Sequence, residues 1–164
     1  MKKAKKILAP TDLSELSKAG IRYAVEMAAS QGSEVIIYHV IGHEEAAPYF
    51  YRTTDDDSSS FVDYRPLSEI VEERKRLLAK FIRENFAGIA QDVSIRPEVE
   101  VGQPYKGIVD KADEEKADII VMSTHGRTGL LHVLIGSVTE KVVRLAACPV
   151  LSLRPTKLTQ AAAA

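Results

Sequence analysis

Five short apolar segments alternate with segments of helical periodicity along this chain of 164 residues. The segment Glu34–Ile41 is a nearly continuous apolar run, which is typical of a strand that is covered on both faces. Strands that alternate with helices in this way form parallel sheets joined by right-handed crossovers. The sequence therefore predicts an α/β fold, built on an open five-stranded parallel sheet with helices on both faces.

Glycine and proline residues set the boundaries of the predicted elements. Gly32 should end the first helix, and Pro104 should lie near the start of the third. Pro97 cannot donate a hydrogen bond to a strand ladder, so the third strand should lie at an edge of the sheet. The predicted strands are Lys6–Pro10, Glu34–Ile41, Val93–Val101, Asp118–Met122 and Pro149–Leu153, and the predicted helices cover Leu16–Ala28, Leu67–Ile82, Ile108–Ala117 and Val138–Ala146.

The length of the chain fits a single domain of residues 1–155, followed by a C-terminal tail of residues 156–164. Residues 42–65 show no clear period and are predicted to form a long irregular loop, which in a compact domain is usually functional or disordered. Asp55–Asp57 lie in this loop, but their spacing differs from that of a calcium-binding loop. We interpret them as a solvated acidic tip rather than as a metal site.

Charge and cysteine content limit the classes of partner. The chain has 22 basic and 23 acidic residues and a net charge of -1, which argues against a nucleic-acid partner. The single cysteine, Cys148, excludes an internal disulfide, fits a reducing compartment and is interpreted as a small buried hydrophobe. No signal peptide is recognisable, and no apolar run approaches the about 18 residues that span a bilayer. We therefore expect a cytoplasmic protein without membrane contact.

A loop rich in glycine, serine and threonine, from Ser123 to Ser137, joins the fourth predicted strand to the fourth helix. Such loops bind phosphate groups because glycine lets the backbone approach closely and because free N–H groups point outward from the helix start. Gly126, Gly136 and Ser137 are the candidate phosphate contacts. Taken singly, each of them is equally compatible with an ordinary turn or helix start, so only their combination favours phosphate binding.

A second polar loop follows the first strand and carries Asp12. Ligands of open parallel sheets bind at the carboxyl ends of the strands, where the strand order reverses. If the first and fourth strands are neighbours at that point, one crevice collects Asp12 and the glycine loop, and the carboxylate can accept hydrogen bonds from ribose hydroxyls. The alternative interpretation is that Asp12, like Thr11 and Ser14, is a helix cap.

Three parts of the sequence resemble the universal stress protein family: Pro10–Asp12 after the first strand, His39–Val40 at the end of the second, and the late glycine loop. ATP-binding members of that family carry a glycine, two residues, a second glycine, nine residues, and then glycine followed by serine or threonine. In this chain Gly126 is followed by nine residues and by Gly136–Ser137, and Ser123 stands in place of the first glycine. The resemblance extends over almost the whole chain.

The resemblance implies a Rossmann-like fold of the adenine nucleotide alpha hydrolase type with the strand order 3-2-1-4-5. It also implies a homodimer formed through the last strand, and ATP as the ligand, with Mg²⁺ or Mn²⁺ held by the phosphates and no metal ligands from the protein alone. The implied site places adenine near Pro10, Thr11, Val40 and Met122, ribose at Asp12 and Gly126, and phosphates on Ser123, Gly126, Arg127, Gly136, Ser137, Val138 and Thr139.

We expect an ATP-binding protein that acts as a nucleotide-dependent module in stress response or signalling. The alternatives are a slow ATP hydrolase or phosphotransferase, and a homodimer that binds partners without nucleotide. The sequence has neither a P-loop GxxxxGK[ST] motif nor a lysine in the glycine loop, which favours binding over turnover. His125 is a candidate general acid or base without an evident carboxylate partner, so no catalytic residue is named. His39 is interpreted as a core or rim histidine.

Overall fold

The computed structural model describes residues 3–50, 66–124 and 135–154 of the chain. The elements are β1 Lys6–Pro10, α1 Lys18–Gln31, β2 Glu34–Ile41, α2 His43–Phe50, α3 Leu67–Phe86, β3 Ser94–Val101, α4 Pro104–Glu114, β4 Ile119–Ser123, α5 Ser137–Leu145 and β5 Val150–Leu153. The five strands form one sheet in the order β3-β2-β1-β4-β5, and all neighbouring pairs are parallel. The predicted fold and strand order are therefore confirmed.

Helices cover both faces of the sheet because successive side chains of each strand point to opposite faces. In β1, Ile7 and Ala9 belong to a core cluster that includes α1 and α3, whereas Leu8 belongs to a second cluster that includes α4 and α5. All three side chains are fully buried. Within the described ranges, no helix combines the length and apolarity that crossing a membrane requires.

Two helix boundaries lie at the residues that the sequence indicated, whereas α3 runs on to Phe86 and α4 ends earlier than predicted, at Glu114. Helix α1 ends at Gly32, whose φ of 70° lies in the left-handed region that glycine adopts without strain. Pro104 is the first residue of α4, where its missing N–H has no intrahelical acceptor to lose. Among the strands of the described residues, β3, which contains Pro97, pairs with β2 alone and forms an edge of the sheet, as predicted.

Helix α2 occupies part of the segment that we predicted to be irregular. Its Ala46 is fully buried in the core cluster that contains α1 and α3. The structure differs from the prediction because Pro48 indicates a helix break in the sequence, whereas the burial of Ala46 depends on the rest of the fold. Residues 51–65, which include Asp55–Asp57, lie outside the described part of the chain.

Charged side chains join the strands at the amino end of the sheet. Arg96 of β3 donates to Glu34 of β2 at 2.9 Å, to Glu115 after α4 at 2.7 Å, and also to Glu98. The Nζ atom of Lys6 lies 2.7 Å from Oε2 of Glu115. The hydrogen bonds from Arg96 and then from Lys6 lower the pKa of Glu115 to about 2. Glu115 therefore stays charged, and the amino ends of β1, β2 and β3 are held by one ion-pair network.

Candidate functional site

The carboxyl ends of β1 and β4 open into a cavity of about 620 Å³. These two strands are neighbours in the sheet, with Ile7 opposite Ile119, although they are far apart in sequence. The chain leaves β1 toward α1 on one face and leaves β4 toward α5 on the other face, which is the strand-order reversal where open sheets bind ligands. The residues that line the cavity are Pro10, Thr11, Asp12, Ser17, Tyr38, His39, Val40, Gly42, Glu44, Glu45, Pro104, Ile108, Met122, Ser123, Thr124, Gly136, Ser137, Val138 and Thr139.

Every predicted site residue that the structure describes lies on the wall of this cavity. They come from β1 and its following loop, from the end of β2, from the end of β4 and from the start of α5. These residues are Pro10, Thr11, Asp12, Val40, Met122, Ser123, Gly136, Ser137, Val138 and Thr139. The other two predicted site residues, Gly126 and Arg127, lie outside the described residues, as does His125.

The loop between β1 and α1 is cross-linked by short polar side chains. The hydroxyls of Thr11 and Ser17 lie 2.8 Å apart, and Thr11 Oγ1 accepts from the N–H of Leu13 at 3.0 Å. Asp12 Oδ1 accepts from the N–H of Ser14 at 3.1 Å and from its hydroxyl at 2.6 Å. Leu13 has a φ of 63°, a strained conformation for a leucine that the surrounding bonds maintain. These hydrogen bonds therefore stabilise a single conformation of the loop.

Asp12 is not a helix cap, contrary to the alternative interpretation of the sequence. Helix α1 begins at Lys18, and Ser17 is its N-cap residue, without a side-chain capping bond. Thr11 and Ser14 are not N-cap residues of α1 either: Thr11 Oγ1 accepts from the N–H of Leu13, and Ser14 Oγ accepts from the N–H of Ser17 in the turn before the helix. The carboxylate of Asp12 instead lies partly buried at the cavity wall.

The start of α5 supplies backbone donors to the cavity. Gly136 is its N-cap residue and its N–H donates to the Thr124 carbonyl at 2.7 Å. The next three residues, Ser137 to Thr139, occupy the first turn, whose N–H groups have no acceptor within the helix. These donors lie at the positive end of the helix dipole, an arrangement that binds anions.

Two hydroxyls that were candidate phosphate contacts make internal hydrogen bonds. Ser123 Oγ accepts from the N–H of Gly20 in α1 at 3.1 Å. Thr139 Oγ1 donates to the Ser123 carbonyl at 3.0 Å. Both residues are buried, with 7% and 3% of their surface exposed. Both hydroxyls therefore also have a structural role, and the hydroxyl hydrogen of Thr139 points to Ser123 rather than to a ligand.

Part of the cavity wall is apolar. Val40 and Met122 belong to it together with Pro104 and Ile108, which were not assigned to the site from the sequence. Tyr38 also contributes; its hydroxyl donates to Glu100 Oε2 at 2.9 Å. Burial, and then Glu100, raise the pKa of Tyr38 well above its usual range, so its hydroxyl stays protonated. This combination of apolar wall and aromatic ring suits a planar base.

The structure confirms the interpretation of His39 as a core or rim histidine. It is almost fully buried, and its Nδ1 atom lies 2.9 Å from the carbonyl oxygen of Thr11.

Cys148 is partly buried and packs against the second core cluster. Burial raises the pKa of its thiol, as expected for an unreactive cysteine.

The described cavity wall carries acidic side chains but neither lysine nor arginine. The carboxylates belong to Asp12, Glu44 and Glu45. Glu45 forms an ion pair with Arg74 of α3, which joins α2 to α3 beside the cavity. Glu44 and Glu45 were not predicted as site residues because α2 was not predicted. Pro104 was not predicted as a site residue either, although it follows the carboxyl end of β3, on the side of the sheet where the cavity lies.

Comparison with known proteins places this geometry in a family. The family model described as the universal stress protein family matches residues 3–154. The universal stress protein MJ0577 of Methanocaldococcus jannaschii is 35% identical over 156 residues, which cover 90% of this chain and 93% of the relative. The solved structure of MJ0577 aligns with a TM-score of 0.67 at 28% identity and covers 95% of this chain and 99% of its own.

Two further solved structures share the fold. A universal stress protein in complex with cAMP has a TM-score of 0.62 at 22% identity and covers 94% of this chain and 100% of its own. The universal stress protein from Archaeoglobus fulgidus in complex with dAMP has a TM-score of 0.60 at 24% identity and covers 92% of this chain and 98% of its own. The family model and the MJ0577 relative confirm the resemblance seen in the sequence: the chain belongs to the universal stress protein family.

Proposed function

We propose that the cavity binds an adenine nucleotide, with ATP as the preferred ligand, and that the protein acts as a nucleotide-dependent module in stress response or signalling. The observation that carries the proposal is the composition of the cavity wall, which combines the first-turn N–H groups of α5 with apolar side chains such as Val40, Met122 and Ile108. An adenine nucleotide likewise combines an anionic chain with a planar base.

Each part of the nucleotide has a matching part of the wall. Phosphates would bind the N–H groups of Ser137 to Thr139 and would lie against Ser123 and Gly136, together with Gly126 and Arg127. The carboxylate of Asp12, fixed in its loop by Ser14, would accept the ribose hydroxyls. The adenine would pack near Pro10, Thr11, Val40 and Met122, all of which line the cavity. The same fold accommodates cAMP and dAMP in the two proteins named above.

The charge of the described wall favours a nucleotide that carries a divalent cation. The described part of the wall carries three carboxylates and neither lysine nor arginine. The negative charge of the ATP phosphates is therefore balanced there mainly by the positive end of the helix dipole. Mg²⁺ or Mn²⁺ held by the phosphates would lower that charge. We expect ATP affinity to increase when either cation is present.

Binding rather than efficient turnover is the proposed activity. Among the described lining residues, His39 has the only imidazole, and its ring is buried against the Thr11 carbonyl rather than placed as a general base. A slow hydrolase or phosphotransferase remains the second candidate, because the site would hold the phosphates of a metal–ATP complex. The third is a partner-binding homodimer without nucleotide.

We also propose a cytoplasmic homodimer formed through β5. This strand pairs with β4 on one side and forms the second edge of the sheet. Beside it, Val143 and Leu145 of α5 are 49% and 57% exposed, which is high for aliphatic side chains. A second copy of the chain at this edge would cover them and the strand. Light scattering should then give twice the 18.0 kDa mass of one chain.

Mass spectrometry of the ligand released by denaturing freshly purified protein tests the proposed nucleotide. We expect ATP or another adenine nucleotide. If none is released, and nucleotide-free protein does not bind ATP in a calorimeter, the binding and hydrolase proposals both fail and the partner-binding homodimer remains. If ATP is bound, its conversion to product over hours separates a binder from a slow hydrolase.

A further inference from the structure

Ser123 connects the starts of two helices that lie on opposite faces of the sheet. It is the last residue of β4 and is 7% exposed. Its hydroxyl oxygen accepts from the N–H of Gly20 in α1, and its carbonyl accepts from the hydroxyl of Thr139 in α5. Helix α1 belongs to one core cluster and α5 to the other. One residue at the cavity wall therefore holds the first turns of both flanking helices.

Helix α1 lies unusually close to β4 at this point. A Cβ atom at Gly20 would lie 2.9 Å from the carbonyl carbon of Met122 and 2.9 Å from the nitrogen of Ser123. Only glycine fits there, because both neighbours are backbone atoms that cannot move aside. The contact brings the N–H of Gly20 within hydrogen-bonding distance of the Ser123 side chain.

Ser123 supplies an acceptor that the helix itself does not provide. Gly20 is the third residue of α1, so its N–H has no acceptor within the helix. The N-cap residue, Ser17, makes no capping bond, because its hydroxyl is bonded to Thr11 Oγ1 and to the Ser14 carbonyl. The acceptor comes instead from a residue that is 103 positions away in sequence.

These contacts lead from Ser123 to the loop that carries Asp12. Gly20 lies in the first turn of α1, Ser17 directly precedes that turn, and the Ser17 hydroxyl lies 2.8 Å from Thr11 Oγ1. We infer that Ser123 is a positioning residue, which fixes the first turn of α1 on β4 and thereby holds the Thr11–Asp12 loop at the cavity. The Ser123 hydroxyl oxygen serves this purpose by accepting from the Gly20 N–H. The inference rests on the proposed function for its effect on ligand binding.

The variant Ser123→Ala separates positioning from direct phosphate contact. Its affinities for adenosine, AMP and ATP are measured by calorimetry against those of the control Ser94→Ala, an exposed serine at the start of the distant edge strand β3. A positioning role predicts that all three affinities fall by the same factor, about tenfold, as expected for the loss of one hydrogen bond. A phosphate contact would weaken AMP and ATP and leave adenosine unchanged, which would overturn the inference.

Amide hydrogen exchange provides a readout that does not depend on any ligand. In Ser123→Ala the N–H of Gly20 should exchange about tenfold faster than in the wild type, and Ser123→Thr, which keeps the hydroxyl, should restore slow exchange. Unchanged exchange at Gly20, or reduced stability with all three affinities unchanged, would contradict the inference. If the wild-type protein binds no adenine compound, the proposed function fails, and exchange at Gly20 still decides whether Ser123 fixes the helix.

Discussion

The two ends of the sheet are constructed differently. At the amino end, Arg96 and Lys6 join β1, β2 and β3 to Glu115 through a network of ion pairs. At the carboxyl end, the chain departs to opposite faces after β1 and β4 and leaves a cavity of about 620 Å³. Hydrogen bonds at this end include those within the loop around Asp12 and those that connect helix starts to β4.

This difference separates stability from binding. Charged groups at the amino end pair mainly with one another, so a change there should affect the free energy of unfolding more than ligand affinity. Backbone donors at the carboxyl end are grouped around a cavity, so a change there should affect ligand affinity more than unfolding. Three substitutions test the separation, beginning with the largest expected effect.

Gly136→Val should weaken ATP binding about 100-fold, which is the loss expected when two N–H bonds to a charged phosphate are blocked. The protein should still fold, because Gly136 has φ of -66° and ψ of 151°, a conformation that valine adopts easily. Calorimetry measures the affinity and urea unfolding the stability. The matched control is Gly88→Val in the turn after α3, where an added Cβ meets no heavy atom within 4 Å. Equal affinity losses in both variants would contradict the separation.

Arg96→Ala should lower the free energy of unfolding by roughly 1–2 kcal/mol and leave ATP affinity unchanged. The effect is moderate because Arg96 is 38% exposed and because Lys6 continues to pair with Glu115. The control is Arg144→Ala, which removes an exposed pair with Glu140 at 3.8 Å and should have a much smaller effect. A fall in ATP affinity in Arg96→Ala would show that the two ends are coupled.

Glu115→Gln should lower the free energy of unfolding by about 1 kcal/mol at neutral pH and should make this free energy less dependent on pH. Arg96 and then Lys6 lower the pKa of Glu115 from 4.5 to about 2. The stabilisation is therefore complete above pH 4.5 and is lost as the pH falls toward 2. Urea unfolding of both proteins at about pH 6 and about pH 2.5 should show the difference shrinking at the lower pH. A difference that is constant with pH would contradict this account of the network.

Local sequence patterns predicted most of the fold. The bounds predicted for β1 and β2 match the structure because these strands are continuous apolar runs that both core clusters bury. Helix α2 was missed because its stability depends on the burial of Ala46 by distant elements. The pairing of Arg96 with Glu34 was also missed, because the two residues are 62 positions apart and only the register of β2 and β3 brings them together.

The candidate site was predictable in its position but not in its detailed bonding. Ligands of open sheets bind at the carboxyl ends of the strands, and the family spacing identifies the residues of the glycine loop. Together these two arguments predicted ten residues that the structure places on the cavity wall. The bonds of Ser123 and Thr139 were not predictable, because no sequence pattern indicates that α1 approaches β4 at Gly20. A glycine within the apolar face of a helix was the signal that could have indicated this close approach.

The most direct test is a titration of nucleotide-free protein with ATP and Mg²⁺, followed by amide NMR at both ends of the sheet. The account predicts saturable shifts at the carboxyl end, in Asp12, Val40 and the first turn of α5, with no shifts in Lys6, Arg96 and Glu115 at the amino end. An absence of shifts, or saturable shifts centred on the amino end, would contradict it.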